Sequence, residues 1–191
     1  MTDAVIADHV APSDEILADD GSITTENLLD EVNLYNLYDT EDSPEQSAEQ
    51  ILDITYPTTT LVDIIEKTFG KLDSSKEITD GAHIIGGKYG TGKSHIELVI
   101  YHLLTSPDVA QSWGQQHSLS IDFIEGTRTA ALQMLNLDDS YTQLWSAVGA
   151  YLEIDEWVEM EDCPNVHQIR DAIGGEPTAV MIDEFERWFS M

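Results

Sequence analysis

Basic residues are scarce. Eight Lys and Arg stand against 37 Asp and Glu in 191 residues, a formal net charge of -29. None of the eight precedes Lys67. A surface of this kind repels phosphate backbones and anionic lipid at long range, which argues against direct nucleic-acid binding by this segment and against a membrane-surface role. Cysteine is limited to Cys163. One thiol cannot close an internal disulfide, and with scattered histidines it builds no zinc site, so Cys163 reads as a small buried or half-exposed thiol. No window approaches the roughly 18 apolar residues of a membrane span. Met1–Val10 has neither a basic residue nor a long apolar run, so it does not read as a secretory signal. These absences predict a soluble, cytoplasmic chain.

Apolar residues still make up 41% of the chain and aromatics 8%, enough for a packed core of one ordinary domain. The acids are spread along the whole length, which favours a protein of a salt-loaded cytoplasm over an acidic interaction module. Dense carboxylates hold hydration there, and high ionic strength screens their repulsion.

Residues 1–42 are acidic and loosely patterned, and low hydrophobicity with one-sign charge predicts partial disorder. Within them Leu28, Leu29, Val32, Tyr35 and Leu37 could line a short helix, packed on the core or reserved for a partner. The ordered domain is placed at 43–191. Ser43-Pro44-Glu45-Gln46 predicts a capped helix start, running to about Ile54. A second helix is expected over Thr60–Phe69, with Leu61, Ile64, Ile65 and Phe69 on one face and Gly70 at its end. Ala82–Gly86 predicts a short strand, in which His83 is packed. Lys93 to Leu104 predicts a helix with Ile96, Val99, Ile100 and Leu103 inward. Another helix opens at Ser106-Pro107-Asp108. Thr129–Leu135 predicts a strand. Tyr141–Leu152 predicts a helix with Leu144, Trp145, Val148 and Leu152 as its stripe, and Trp145 and Trp157 read as core. Pro164 starts a helix ending near Gly174-Gly175, and Thr178–Ile182 predicts a buried strand. Strands alternating with helices imply a parallel α/β sheet.

The chemistry is concentrated in Gly87-Lys88-Tyr89-Gly90-Thr91-Gly92-Lys93-Ser94, a full match to G-x-x-x-x-G-K-[ST]. Gly90 and Gly92 let the backbone turn tightly and aim successive N–H groups at a phosphate. The helix that follows adds its positive end. Lys93 is placed to reach the β and γ phosphates of ATP, and the Ser94 hydroxyl to ligate magnesium. Five of the eight basic residues lie between Lys67 and Lys93. Downstream, the apolar run Ala179–Ile182 ends in Asp183-Glu184. Strand ends of a parallel sheet face the ligand mouth, so Asp183 is expected to hold the metal and Glu184 to serve as catalytic base toward water. The adjacent Glu favours an ATPase over a kinase. His95 follows the loop and reads as a surface or packing residue. Trp188 and Phe189 fall on an expected helix after the second motif.

From about Ile54 onward, "TYPTTTLVDIIEKTFGKL", "GGKYGTGKSH", "YHLL", "LWSAVGAYL" and "AVMIDEFERW" resemble the large ATPases of the bacteriophage exclusion and phage growth limitation (BREX/Pgl-type) systems. The resemblance implies an AAA+-like P-loop NTPase fold of the ASCE type, ATP and Mg2+ as ligands, and a role in prokaryotic antiviral defence. It also implies homo-oligomers and complexes with other defence proteins, a DNA methyltransferase among them. The acidic composition fits a haloarchaeal version. Members of that group are long, and strands carrying a sensor residue are expected beyond the second motif, with an arginine finger from a neighbouring subunit. Arg187 is too close to the motif to serve. The expectation is therefore the N-terminal part of a larger ATPase, its sheet incomplete at the C-terminus and its own hydrolysis weak or absent. Two other readings stay open: a nucleotide-binding or partner-docking module without turnover, and a P-loop kinase.

Overall fold

The computed structural model describes residues 33–38, 43–73, 81–88, 90–119, 124, 127–138 and 140–186. All of them belong to one unit, Asn33–Met191. Most of the acidic 1–42 segment, Tyr89, Arg187, Trp188 and Phe189 lie outside the described residues.

Among the described residues, seven α-helices and two strands follow in the order α1 (Ala48–Asp53), α2 (Thr59–Leu72), α3 (Lys93–Thr105), α4 (Pro107–Gln116), β1 (Arg128–Gln133), α5 (Leu144–Tyr151), α6 (Asp155–Val158), α7 (Val166–Ile173) and β2 (Thr178–Asp183). The strands pair in parallel, from Arg128 opposite Thr178 to Gln133 opposite Asp183. Parallel neighbours need a long crossover, and α5, α6 and α7 supply it. The fold is thus α/β, with a two-stranded parallel sheet among the described residues.

The centre of the molecule is α3. Its residues Leu98, Val99, Ile100, His102, Leu103 and Leu104 are all buried, nearly all round the helix. Buried side chains on several faces of a helix need cover on each of them, and α1, α4 and both strands pack against it. On the crossover side, Ala130 and Leu132 of β1 form a core with Ala147, Leu152, Ile154 and Trp157.

Ahead of α1, Leu34–Tyr38 forms a 3₁₀ turn packed on this core, and Leu34 is fully buried. The buried Glu45 carboxylate accepts from Asn36 Nδ2 (3.0 Å) and Asn33 N (3.3 Å), and the Tyr38 hydroxyl accepts from Ala131 N of β1 (2.9 Å).

Several local expectations are corrected. The helix expected from Ser43 to Ile54 is broken. Ser43 Oγ and Gln46 Nε2 both donate to Asn36 O, so neither caps a helix. Only a 3₁₀ turn, Pro44–Gln46, forms there, and Ser47 caps α1 by accepting from Gln50 N. Helix α2 runs through Gly70 to Leu72, because nothing crowds Gly70 and a single helical glycine costs only about 1 kcal/mol. Strand β1 stops at Gln133, where Asn136 N turns back to Gln133 O. The packed face of α5 is Ser146, Ala147 and Gly149; the expected stripe residues Leu144, Trp145 and Val148 are half-buried. Trp157 is core, whereas Trp145 is half-buried with Nε1 on Met160 O. Helix α7 starts at Val166, because Asn165 and Gln168 form the capping box. Cys163 is exposed.

The largest correction concerns Ala82–Gly86. No strand forms there, Ile84 is 96% exposed, and His83 is exposed rather than packed. A strand exists through its ladder. Here the Ala82 carbonyl instead accepts from the Lys71 ammonium (3.0 Å). Nor is β2 buried as expected: it is half-buried with Val180 41% exposed, because it pairs along one edge only among the described residues. No described helix is long and apolar enough to cross a membrane.

Candidate phosphate and cation site

The glycine loop ends at the N-terminus of α3. Gly90 and Gly92 both take left-handed φ, +73° and +82°, which L side chains rarely adopt. Gly87 is needed for closeness: a Cβ there would lie 2.5 Å from Thr91 Oγ1. The Lys88 carbonyl gathers the loop. It accepts from Thr91 N (3.3 Å), Thr91 Oγ1 (2.8 Å) and Lys93 Nζ (3.3 Å). Gly92 is the residue before the helix, and its carbonyl accepts the first helical bond from Ile96 N (3.0 Å). The first N–H groups of α3 therefore have no intrahelical acceptors, the arrangement that receives anions.

Across from the loop stands the end of β2. Ser94 Oγ donates to Asp183 Oδ2 at 2.6 Å, although 89 residues separate the two. Asp183 is 5% exposed, and its Oδ1 accepts from Glu184 N at 2.8 Å. Glu184 holds φ at +54°, an uncommon conformation for a non-glycine residue, which turns the chain sharply at the strand end. Its Oε2 is buried with no hydrogen-bond partner.

A residue that motif reading passes over joins this group. Glu97 lies one turn after Lys93 and Ser94 on α3. Its Oε2 is also buried and without a partner. Burial, and then the nearby charge of Asp183, push its carboxyl up to about 8, against the opposing pull of Lys93. The signal in the sequence is an acid interrupting Ile96-Glu97-Leu98-Val99-Ile100, a stretch of α3 that the fold buries.

The donor set suits a hard divalent cation. Ser94 and Asp183 offer oxygen ligands, and buried carboxylate oxygens without donors lie close by. Among the described residues no three His, Cys, Asp or Glu side chains converge as a metal cage. A cation at Ser94 and Asp183 would thus complete its shell with water and phosphate oxygens, as Mg2+ commonly does.

Other candidates have structural partners. His95 Nε2 meets Thr55 Oγ1 at 2.9 Å, and burial lowers its pKa, which favours the neutral ring. A cavity of about 480 Å³ lined by Arg128, Asp155, Trp157, Gln168 and Asp171 involves none of the loop residues. The Arg128 guanidinium beside it is engaged by the carbonyls of Ala172 and Leu152.

Of the expected site residues, Gly87, Lys88, Gly90, Thr91, Gly92, Lys93 and Ser94 make one loop-and-helix unit, and Asp183 and Glu184 meet it through Ser94. Tyr89 lies outside the described residues. No family model, curated protein or solved structure matches this chain.

Proposed function

We propose that this chain binds ATP with Mg2+ through a P-loop, and that the activity its site serves is ATP hydrolysis of the AAA+-like kind in a prokaryotic antiviral defence complex. The observation carrying the binding reading is the 2.6 Å bond from Ser94 Oγ to Asp183 Oδ2. The end of the phosphate loop and the acidic strand end, 89 residues apart, come together at the two oxygens that a magnesium ion would need. The defence assignment rests on the resemblance of the loop and strand motifs to the BREX/Pgl-type ATPases.

In this reading the loop N–H groups and the start of α3 hold the phosphates. Lys93 would leave the Lys88 carbonyl for the β and γ phosphates. Ser94 and Asp183 would turn their oxygens to the cation, which when bound offsets the charge that develops on the transferring phosphoryl group. Glu184 Oε2 would take the proton of the attacking water. Glu184 beside Asp183 favours water over another acceptor, so a kinase is the weaker reading. A module that binds without turnover is favoured by one observation. The segment leading into the loop forms no strand and is exposed at Ile84, so among the described residues no strand stands behind the loop to fix its geometry.

Calorimetric titration of ATP with Mg2+ in about 2 M KCl, a salt level chosen to screen the acidic surface, tests the proposal. The unaltered chain should bind, and Lys93→Ala should lose at least tenfold in affinity. Equal affinity in the two proteins refutes the assignment. Single-turnover hydrolysis then separates an ATPase from a module that only binds.

A further inference from the structure

Glu97 is the one acid of α3 and directly precedes the buried run Leu98-Val99-Ile100, so its place there needs a reason. Glu97 stands four residues after Lys93 and three after Ser94, so the three side chains share one face of the helix. That face meets the end of β2, where Ser94 bonds Asp183. Glu97 feels the charges of both Asp183 and Lys93. Its Oε2 is buried and has no donor, and a buried acceptor left unpaired costs about 1–3 kcal/mol. An apolar side chain at this position would avoid that cost and extend the packing of Leu98 and Val99.

We propose that Glu97 is a positioning residue of the cation side of this site, its carboxylate accepting hydrogen bonds from the water shell of a nucleotide-bound divalent cation held at Ser94 and Asp183. The inference rests on the ATP reading above. Contact through water fits the absence of a three-carboxylate cage among the described residues. It also fits magnesium, which keeps several waters while using one or two carboxylates and the phosphates. Carboxylates one layer out from a metal commonly set its affinity, and their loss costs about 10–100-fold.

The test is ATP binding by the full chain, measured by calorimetry across a series of Mg2+ concentrations and in excess EDTA. Glu97→Gln is expected to raise the Mg2+ concentration for half-maximal binding about tenfold, with binding in EDTA unchanged. An unshifted Mg2+ midpoint overturns the proposal. Equal weakening with and without Mg2+ also overturns it, since Glu97 would then support the loop rather than the cation. Glu97→Asp keeps the charge and shortens the reach, and it should shift the midpoint in the same direction by less. If Glu97→Gln does not fold by circular dichroism, an unshifted midpoint in folded Glu97→Asp overturns the proposal. Failure of the underlying reading looks different: the unaltered chain would then bind no ATP in either condition.

Discussion

Ser94 and Asp183 hold each other directly, hydroxyl to carboxylate at 2.6 Å. The bond ties the first turn of α3 to the last residue of β2 and thereby fixes the glycine loop against the sheet. It makes Asp183 more than a metal candidate, because the carboxylate also locates the loop when no cation is bound. Asp183→Asn keeps an oxygen that accepts from Ser94 but loses the charge, so it should keep ATP binding in EDTA within a few fold and weaken binding in Mg2+ by about 10–100-fold. Ser94→Ala breaks the bond itself and should weaken binding in both conditions, more in Mg2+ than in EDTA. Paired titrations of each variant with and without Mg2+ check this.

Two loop glycines should respond differently to alanine. At Gly87 a Cβ would meet Thr91 Oγ1 at 2.5 Å, so Gly87→Ala should push Thr91 off the Lys88 carbonyl. Gly92→Ala meets no neighbour but must hold φ near +82°, a strain of about 1 kcal/mol. Both should weaken ATP binding, while denaturation midpoints should fall more for Gly92→Ala. A Gly87→Ala protein with unaltered affinity would show that the Gly87–Thr91 approach is not used by the ligand.

Glu97 should make stability depend on pH in the cation-free protein. The folded state holds its proton up to about pH 8, whereas an ordinary carboxyl releases it near 4.5. The folded state therefore binds more protons across that window, and stability falls as pH rises through it. Glu97→Gln cannot ionise and should be flatter. Urea unfolding at pH 5 and pH 8.5, in EDTA, should show the variant gaining on the unaltered protein at the higher pH by on the order of 2 kcal/mol. Parallel profiles would mean that Glu97 is solvated like a surface acid.

The crossover has its own tight point at Gly149. A Cβ there would lie 2.6 Å from Trp157 Cβ and 3.0 Å from the Ile154 carbonyl. Gly149→Ala should destabilise the chain by about 1–3 kcal/mol through overpacking. ATP affinity should change little at temperatures where the variant is folded. Thermal melts with and without nucleotide measure both.

Glu184 separates binding from turnover. Glu184→Gln keeps the shape of the residue and its backbone bond to Asp183 Oδ1. In single-turnover assays it should lose hydrolysis by at least about 100-fold, with ATP affinity kept within a few fold. A variant that hydrolyses at the unaltered rate would move the base elsewhere.

Much of the site is legible in the sequence because its requirements are local. Glycine at 90 and 92 is dictated by left-handed backbone, and Lys93 and Ser94 by their place at the start of a helix. The stop of α7 at Gly174 and the start of α4 at Pro107 are equally local, each a matter of one residue's φ. The charge of -29 bears on solvent and salt in the same direct way. What only the tertiary structure decided is whatever depends on a partner distant in the chain. Ile84 reads as a strand residue by pattern, yet it stays exposed, since a strand needs a neighbour and none of the described residues supplies one. Ser43 reads as a cap, yet Asn36 takes its hydroxyl. Glu97 belongs to no motif, and its proton affinity is raised only by the buried surroundings of α3 and then by Asp183. Local backbone preference is written residue by residue. Pairing, burial and electrostatic coupling arise only when residues as far apart as Ser94 and Asp183 come within bonding distance.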